Sequence, residues 1–180
     1  MSRQRVAAVI ACVASALAQG GELLADDWPE FRGEGRLGVW RETGILDRFP
    51  ADGLKVRWRT PINAGYSGPA VVAGRVFVTD FEVTSGMRGT ERALALDAAT
   101  GSVLWSQTWE ANYAGIQWEV GPGATPTVDD DRVYVLGRTG TLSALAVETG
   151  EILWRKQYEV DYGVDRTQWG FDWGFASAPL

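Results

Sequence analysis

Histidine is absent from this 180-residue chain, and the only cysteine, Cys12, lies in an apolar N-terminal stretch. Without histidine, no Ser-His-Asp triad, histidine-ligated zinc or imidazole proton switch can be assembled. A single thiol likewise excludes a disulfide framework and a cysteine metal site. Positive charge is short: 17 Lys and Arg face 23 Asp and Glu, a net charge of −6. No basic patch follows a phosphate backbone, so no nucleic-acid partner is expected. Beyond the N-terminal stretch no window keeps a 3.6-residue apolar period, and no run is long enough to span a bilayer. What the chain has in quantity is glycine, 22 residues, and tryptophan, 9 residues. Glycine at about 12%, against a usual ~7%, marks many tight turns.

Arg3 and Arg5 precede the uncharged run Val6–Ala18, the basic and apolar regions of a secretory signal. Ala16-Leu17-Ala18 supplies a small-x-small cleavage pattern, so residues 1–18 are read as a signal peptide and 19–53 as a leader. Cleavage after Ala25 and lipoprotein processing at Cys12 are the alternatives, the latter with a short apolar region before the cysteine. The expected location is outside the cytoplasm, periplasmic or extracellular, with no membrane span in the mature chain.

The dominant feature is an internal repeat. Ala93–Trp105 (ALALDAATGSVLW) aligns with Leu142–Trp154 (LSALAVETGEILW), the two tryptophans standing 49 residues apart. Val76-Phe77-Val78 matches Val133-Tyr134-Val135, and Gly68-Pro69-Ala70 matches Thr125-Pro126-Thr127. A period near 50 with four short β runs per unit fits a propeller blade and no helical solenoid. The spacing predicts strands at 70–73, 75–81, 91–97 and 102–109 in the first blade (66–109). In the second blade (123–158) it predicts strands at 125–128, 132–136, 141–147 and 151–157. Leu54–Thr60, with Trp58 at the repeat position, reads as an orphan outer strand, and Phe175–Leu180 as the start of a further blade. Two whole units and two pieces do not close a ring of 4–8 blades, so the sequence reads as the front part of a longer protein. The fold class is all-β, an incomplete propeller of four-stranded antiparallel blades.

Within each unit the sharpest motif is Asp97-x-x-Thr100-Gly101-x-x-x-Trp105, repeated as Thr149-Gly150-x-x-x-Trp154 with Ala146 in place of the aspartate. Thr-Gly closes a tight turn, and the tryptophan four residues on presents a flat ring and an N–H that can dock on the neighbouring blade's turn. Asp97, Thr100, Gly101, Trp105, Thr149, Gly150, Trp154 and Trp58 are therefore assigned to blade docking. The substitution at Ala146 should remove one turn hydrogen bond.

This pattern resembles the tryptophan-docking motif of PQQ-like β-propeller repeats, the quinoprotein alcohol dehydrogenase-like family. Asp27-Trp28-Pro29-Glu30-Phe31-Arg32-Gly33 is similar to the N-terminal signature of exported bacterial propellers of the outer-membrane barrel-assembly lipoprotein type. The resemblance implies a full ring of 7–8 blades. In the enzymes of that family it further implies a PQQ cofactor over the ring axis, with calcium, acidic residues and paired cysteines. None of those residues can be carried onto this sequence, so catalytic and metal positions are assigned to none, and PQQ and calcium are expectations only for a longer protein. Asp129-Asp130-Asp131 invites a calcium reading, but three aspartates between two strands followed by Arg132 read better as a hairpin turn.

The connectors between blades, Glu110–Gly123 and Glu159–Gly174, are long and aromatic, which on a propeller asks for a reason. Tyr113, Trp118, Tyr162, Trp169 and Trp173, interspersed with Gln117, Glu119, Arg166 and Gln168, form a candidate ligand face near the axis. The rings could equally seal the crevices between blades. Tyr113 and Tyr162 are expected at equivalent positions. Trp28, Phe31 and Trp40 are expected to pack the leader against the propeller. The function expected is a non-catalytic binding or scaffold module that recognises a polypeptide, glycan or small ligand. A PQQ-dependent dehydrogenase and an extracytoplasmic sensor domain are the alternatives.

Overall fold

The computed structural model describes residues 26–117, 120–168 and 171–180. The expected signal segment, Cys12, Trp118 and Trp169 lie outside them. Strands β1 (Ala70–Val72), β2 (Arg75–Ser85), β3 (Arg88–Asp97) and β4 (Val103–Asn112) form one antiparallel sheet in sequential order. Strands β5 (Thr127–Asp129), β6 (Arg132–Leu136), β7 (Thr141–Ala146) and β8 (Ile152–Gln157) form a second of the same topology. These are two propeller blades, and the fold is the all-β, incomplete propeller that the repeat implied. Among the described residues the one short helix, α1 (Tyr158–Tyr162), and 3-10 turns at Glu34–Arg36 and Phe171–Trp173 lie in the leader and the second connector.

The turns follow local chemistry. Ala73 and Gly74 both have positive φ, the geometry that matches the twist of a two-residue hairpin, and they join β1 to β2. Asp129–Arg132 close the equivalent turn with Asp130 at φ 49, so the aspartate run is a hairpin, as its spacing implied. The register repeats down to its irregularities. Ala95 faces Trp105 and Leu96 faces Val103, leaving Leu104 as a bulge; Ala144 faces Trp154 and Leu145 faces Ile152, leaving Leu153 in the same role. A bulge tightens the local twist and aims the following tryptophan away from its own sheet.

The blades pack face to face. Phe77, Ala93, Ala95, Trp105 and Trp109 of the first bury against Val128, Val133, Val135, Leu145 and Val147 of the second, and the Phe77 and Trp105 rings lie 6.0 Å apart. Small alanines opposite large rings let the layers interdigitate. The Trp105 indole crosses to the second blade and donates from Nε1 to Val147 O at 2.8 Å. It lies flat over Gly150, where a Cβ would stand 2.6 Å from the ring and where φ is 71. Both facts require glycine. Trp58 does the same one repeat earlier, donating to Ala98 O at 2.9 Å above Gly101 while Thr60 Oγ1 donates to Gly101 O at 2.6 Å. Trp154 has no such turn before it among the described residues. Its side is 40% exposed, against 9% for Trp105.

Three expectations change. Leu54–Thr60 belongs to no sheet among the described residues; the Trp58 and Thr60 side chains fasten it to the Ala98–Gly101 turn. Phe175–Leu180 is likewise unladdered, held through Phe175 N donating to Arg138 O at 2.9 Å. The first blade's β2, β3 and β4 run past the predicted ends at Phe81, Glu91 and Trp109. The stretch 82–90, outside the predicted strands, forms a hairpin projecting from the blade.

Candidate functional site

The first connector leaves β4 for β5 and the second leaves β8 for the 175–180 segment, and the two are braced to each other. Gln117 donates from its backbone N to Asp172 O at 2.9 Å and from Nε2 to Asp172 Oδ1 at 3.0 Å. Arg166 pairs with Glu159 at 3.1 Å, donates to Asn112 O at 3.3 Å, and covers the Phe171 ring at 5.3 Å. An edge-to-face chain of rings, Tyr162, Tyr158, Phe175 and Phe171, runs along the second connector at centroid spacings of 5.8, 5.0 and 5.3 Å. These contacts make one continuous face.

The two tyrosines expected to be equivalent are not. Tyr113 is completely buried, stacked on Phe81 at 4.2 Å, and its hydroxyl donates to Glu91 Oε1. Tyr113 is thereby removed from the candidate ligand face. Tyr162 sits in α1 and is 63% exposed. The difference arises where the chains leave their blades: β4 continues to Asn112 and turns inward, whereas β8 stops at Gln157 and passes directly into a helical turn. Trp173 is exposed.

A buried carboxylate that the sequence did not announce sits beneath this face. Glu91, on β3, is fully buried and accepts from Trp109 Nε1 at 2.5 Å, from the Tyr113 hydroxyl, and from the backbone N of Arg138 at 2.8 Å. The last bond crosses from the first blade to the β6–β7 hairpin of the second. Gly137 permits that approach, since a Cβ there would stand 2.1 Å from Glu91 Oε2. Burial pushes the Glu91 carboxyl above the usual range, opposed by its three donors, and burial beside Glu91 pushes the Tyr113 phenol up. Only an alternating strand pattern with a glutamate on its apolar face could have signalled Glu91, and such a pattern is ordinarily solvated. Arg138 is also buried, donates to Gly121 O at 3.1 Å, and lies 5.9 Å from the centre of the Tyr66 ring.

With every carboxylate oxygen of Glu91 bonded within the protein, this cluster locks blades together and has nothing free to transfer a proton to a ligand. Among the described residues no three His, Cys, Asp or Glu side chains converge to hold a metal ion. What the face offers is a shallow cleft of about 490 Å³ lined by Ala64, Gly65, Tyr66 and Val120, with Tyr162 and Trp173 exposed on the connectors. No described helix is long and apolar enough to cross a membrane.

Two blades of this topology, joined by indole-over-glycine docking, define a PQQ-like β-propeller repeat protein. The family model described as "Outer membrane protein assembly factor BamB" matches residues 42–167, and the chain belongs to that family. No curated protein matches the chain. Among solved structures, BamB from Moraxella catarrhalis is 21% identical with a TM-score of 0.39, over 56% of this chain and 26% of its own. The quinohemoprotein alcohol dehydrogenase from Comamonas testosteroni is 28% identical with a TM-score of 0.36, over 52% of this chain and 13% of its own. A europium-containing methanol dehydrogenase is 24% identical with a TM-score of 0.42, over 57% and 19%. The chain thus spans about a quarter or less of the length of these propellers.

Proposed function

We propose that this chain forms part of an exported, non-catalytic binding module that holds an extended polypeptide on its connector face. The observation that carries this reading is the braced pair of connectors that presents Tyr162 and Trp173 to solvent while Glu91 is consumed in internal bonds. Rigid, exposed aromatic rings on a cross-linked surface are the usual anchors of polypeptide recognition. Membership of a family described by outer-membrane protein assembly supports a polypeptide over a glycan or a small ligand, and supports export. Trp118 and Trp169, on the same connectors, are proposed to join the aromatic set.

The test uses the full-length protein and a synthetic extended peptide with the alternating aromatic and polar pattern of outer-membrane barrel strands. Tyr162→Ala with Trp173→Ala should weaken peptide binding by about 1–3 kcal/mol in titration calorimetry, with little change in melting temperature. Unchanged affinity would return both rings to a structural role. Dye-linked alcohol oxidation after reconstitution with PQQ and Ca²⁺ would overturn the non-catalytic reading in favour of a dehydrogenase.

A further inference from the structure

We infer that residues 26–36 of the leader form a fixed stopper across one mouth of the propeller's axial channel, leaving the connector face as the side from which a ligand enters. This rests on the propeller fold alone and not on the function proposed above.

In a propeller blade the first strand is innermost, and its free edge lines the axis. In this chain the leader occupies those edges. Trp28 N donates to Val71 O at 2.7 Å and Val71 N to Trp28 O at 2.9 Å, pairing the leader with the axial edge of β1. The next residue, Pro29, accepts from Val128 N at 2.8 Å, on the axial edge of β5. Farther on, the Arg36 guanidinium reaches the carbonyls of Ala178 and Pro179, in the segment following the second connector, and Thr127 Oγ1 donates to Pro179 O at 2.7 Å. The leader so touches three successive innermost segments, which a strand lying on the rim could not do. Asp27 Oδ1 accepts from Ala73 N at 3.0 Å in the β1–β2 turn, which fixes the end at which it sits: the turn end, opposite the connectors.

The motif that the blades do not use is explained by this role. Glu30 accepts from Gly35 N at 3.0 Å and from Arg36 Nε at 2.8 Å, so one carboxylate shapes the turn and aims the arginine. Gly33, at φ 73, lies beneath the Trp28 ring, where a Cβ would be 2.8 Å from the indole. The leader is a folded unit rather than a strap. A channel closed at one end excludes a polypeptide threaded through the ring.

The test uses the full-length protein with Thr127→Cys and every native cysteine replaced by serine, so that one thiol reports from beneath Arg36. Maleimide labelling of that thiol should be slow, and Arg36→Ala, a partly exposed side chain, should accelerate it at least tenfold with an unchanged melting temperature. Equal rates with and without Arg36→Ala, or fast labelling in both, would overturn the stopper. Amide hydrogen exchange supplies a second measure: peptides covering Val71 and Val128 should be protected, and Trp28→Ala should release them while β2, β3, β6 and β7 stay protected. Fast exchange at both edges in the unaltered leader would equally overturn it.

Discussion

At the scale of single residues, the two side chains that matter most between the blades act in different ways. Trp105 contributes packing and one cross-blade hydrogen bond to Val147, and it is 9% exposed. Trp105→Ala should destabilise the protein by about 3–5 kcal/mol in urea unfolding, as for other buried aromatic truncations. Peptide affinity at temperatures where the variant stays folded should not change. Glu91 contributes through its donors, and its effect depends on pH. Its folded pKa is raised by burial above the ordinary 4.5, so the stability linked to its protonated form is present below that value and declines as pH rises through the folded pKa. Glu91→Gln removes the ionisation but turns an amide N–H toward a donor, which should cost about 1–3 kcal/mol at low pH. Unfolding followed from about pH 4 to 8 should show the gap between the two proteins narrowing as pH rises. A gap that stays constant or widens would show that the carboxylate is charged and satisfied throughout.

At the scale of elements, the Thr-Gly turns show what one substitution does to a repeated motif. Asp97 Oδ1 accepts from Ala99 N at 3.1 Å, Thr100 N at 2.7 Å and Thr100 Oγ1 at 2.8 Å, and these bonds hold its carboxyl below the usual range. In the second blade the Ala146 side chain has no acceptor, so three bonds are missing rather than the one expected, and Thr149 Oγ1 keeps only the bond from Glu151 N at 3.2 Å, the counterpart of Ser102 N donating to Thr100 Oγ1 at 3.3 Å. The backbone bond from Gly150 N to Ala146 O survives at 2.8 Å, matching Gly101 N to Asp97 O at 2.8 Å, which is why the turn and its docking persist. Ala146→Asp should restore the missing set and raise the melting temperature by about 1–3 °C, read by calorimetry. The blades were legible because their signals are local: period-2 alternation, turn glycines and a tryptophan at fixed spacing. The connectors were not, because Tyr113 and Tyr162 share a sequence position and differ only in how far the preceding strand runs, which is set by packing on Phe81 and Glu91. The projecting hairpin of β2 and β3 was missed for a related reason. Its residues 82–90 are mostly polar with two glycines, and an exposed ladder looks like a loop until its partner strand β4 is seen to continue beside it.

At the scale of the whole molecule, blades are units that interact with their neighbours, so stability follows blade by blade and interface by interface. The series Trp58, Trp105 and Trp154 makes that testable. The first two are docked over Gly101 and Gly150, whereas the third is 40% exposed and tilted 47° against Tyr134 at 6.0 Å, beside an apolar cleft of about 480 Å³ that includes Leu136, Leu142 and Phe175. The cleft has the composition of the Trp105 interface before a second blade covers it. In the 180-residue chain Trp154→Ala should therefore cost less than about 1 kcal/mol, the range of substitutions away from packed sites. Appending one blade with a Thr-Gly turn in register should bury the ring, and the same substitution should then cost about 3–5 kcal/mol, like Trp105→Ala. Paired urea titrations of the short and extended chains, each with and without Trp154→Ala, give the coupling directly. An equal cost in both would mean that the indole does not dock forward, and that the blade-to-blade rule read from Trp58 and Trp105 stops at the second blade.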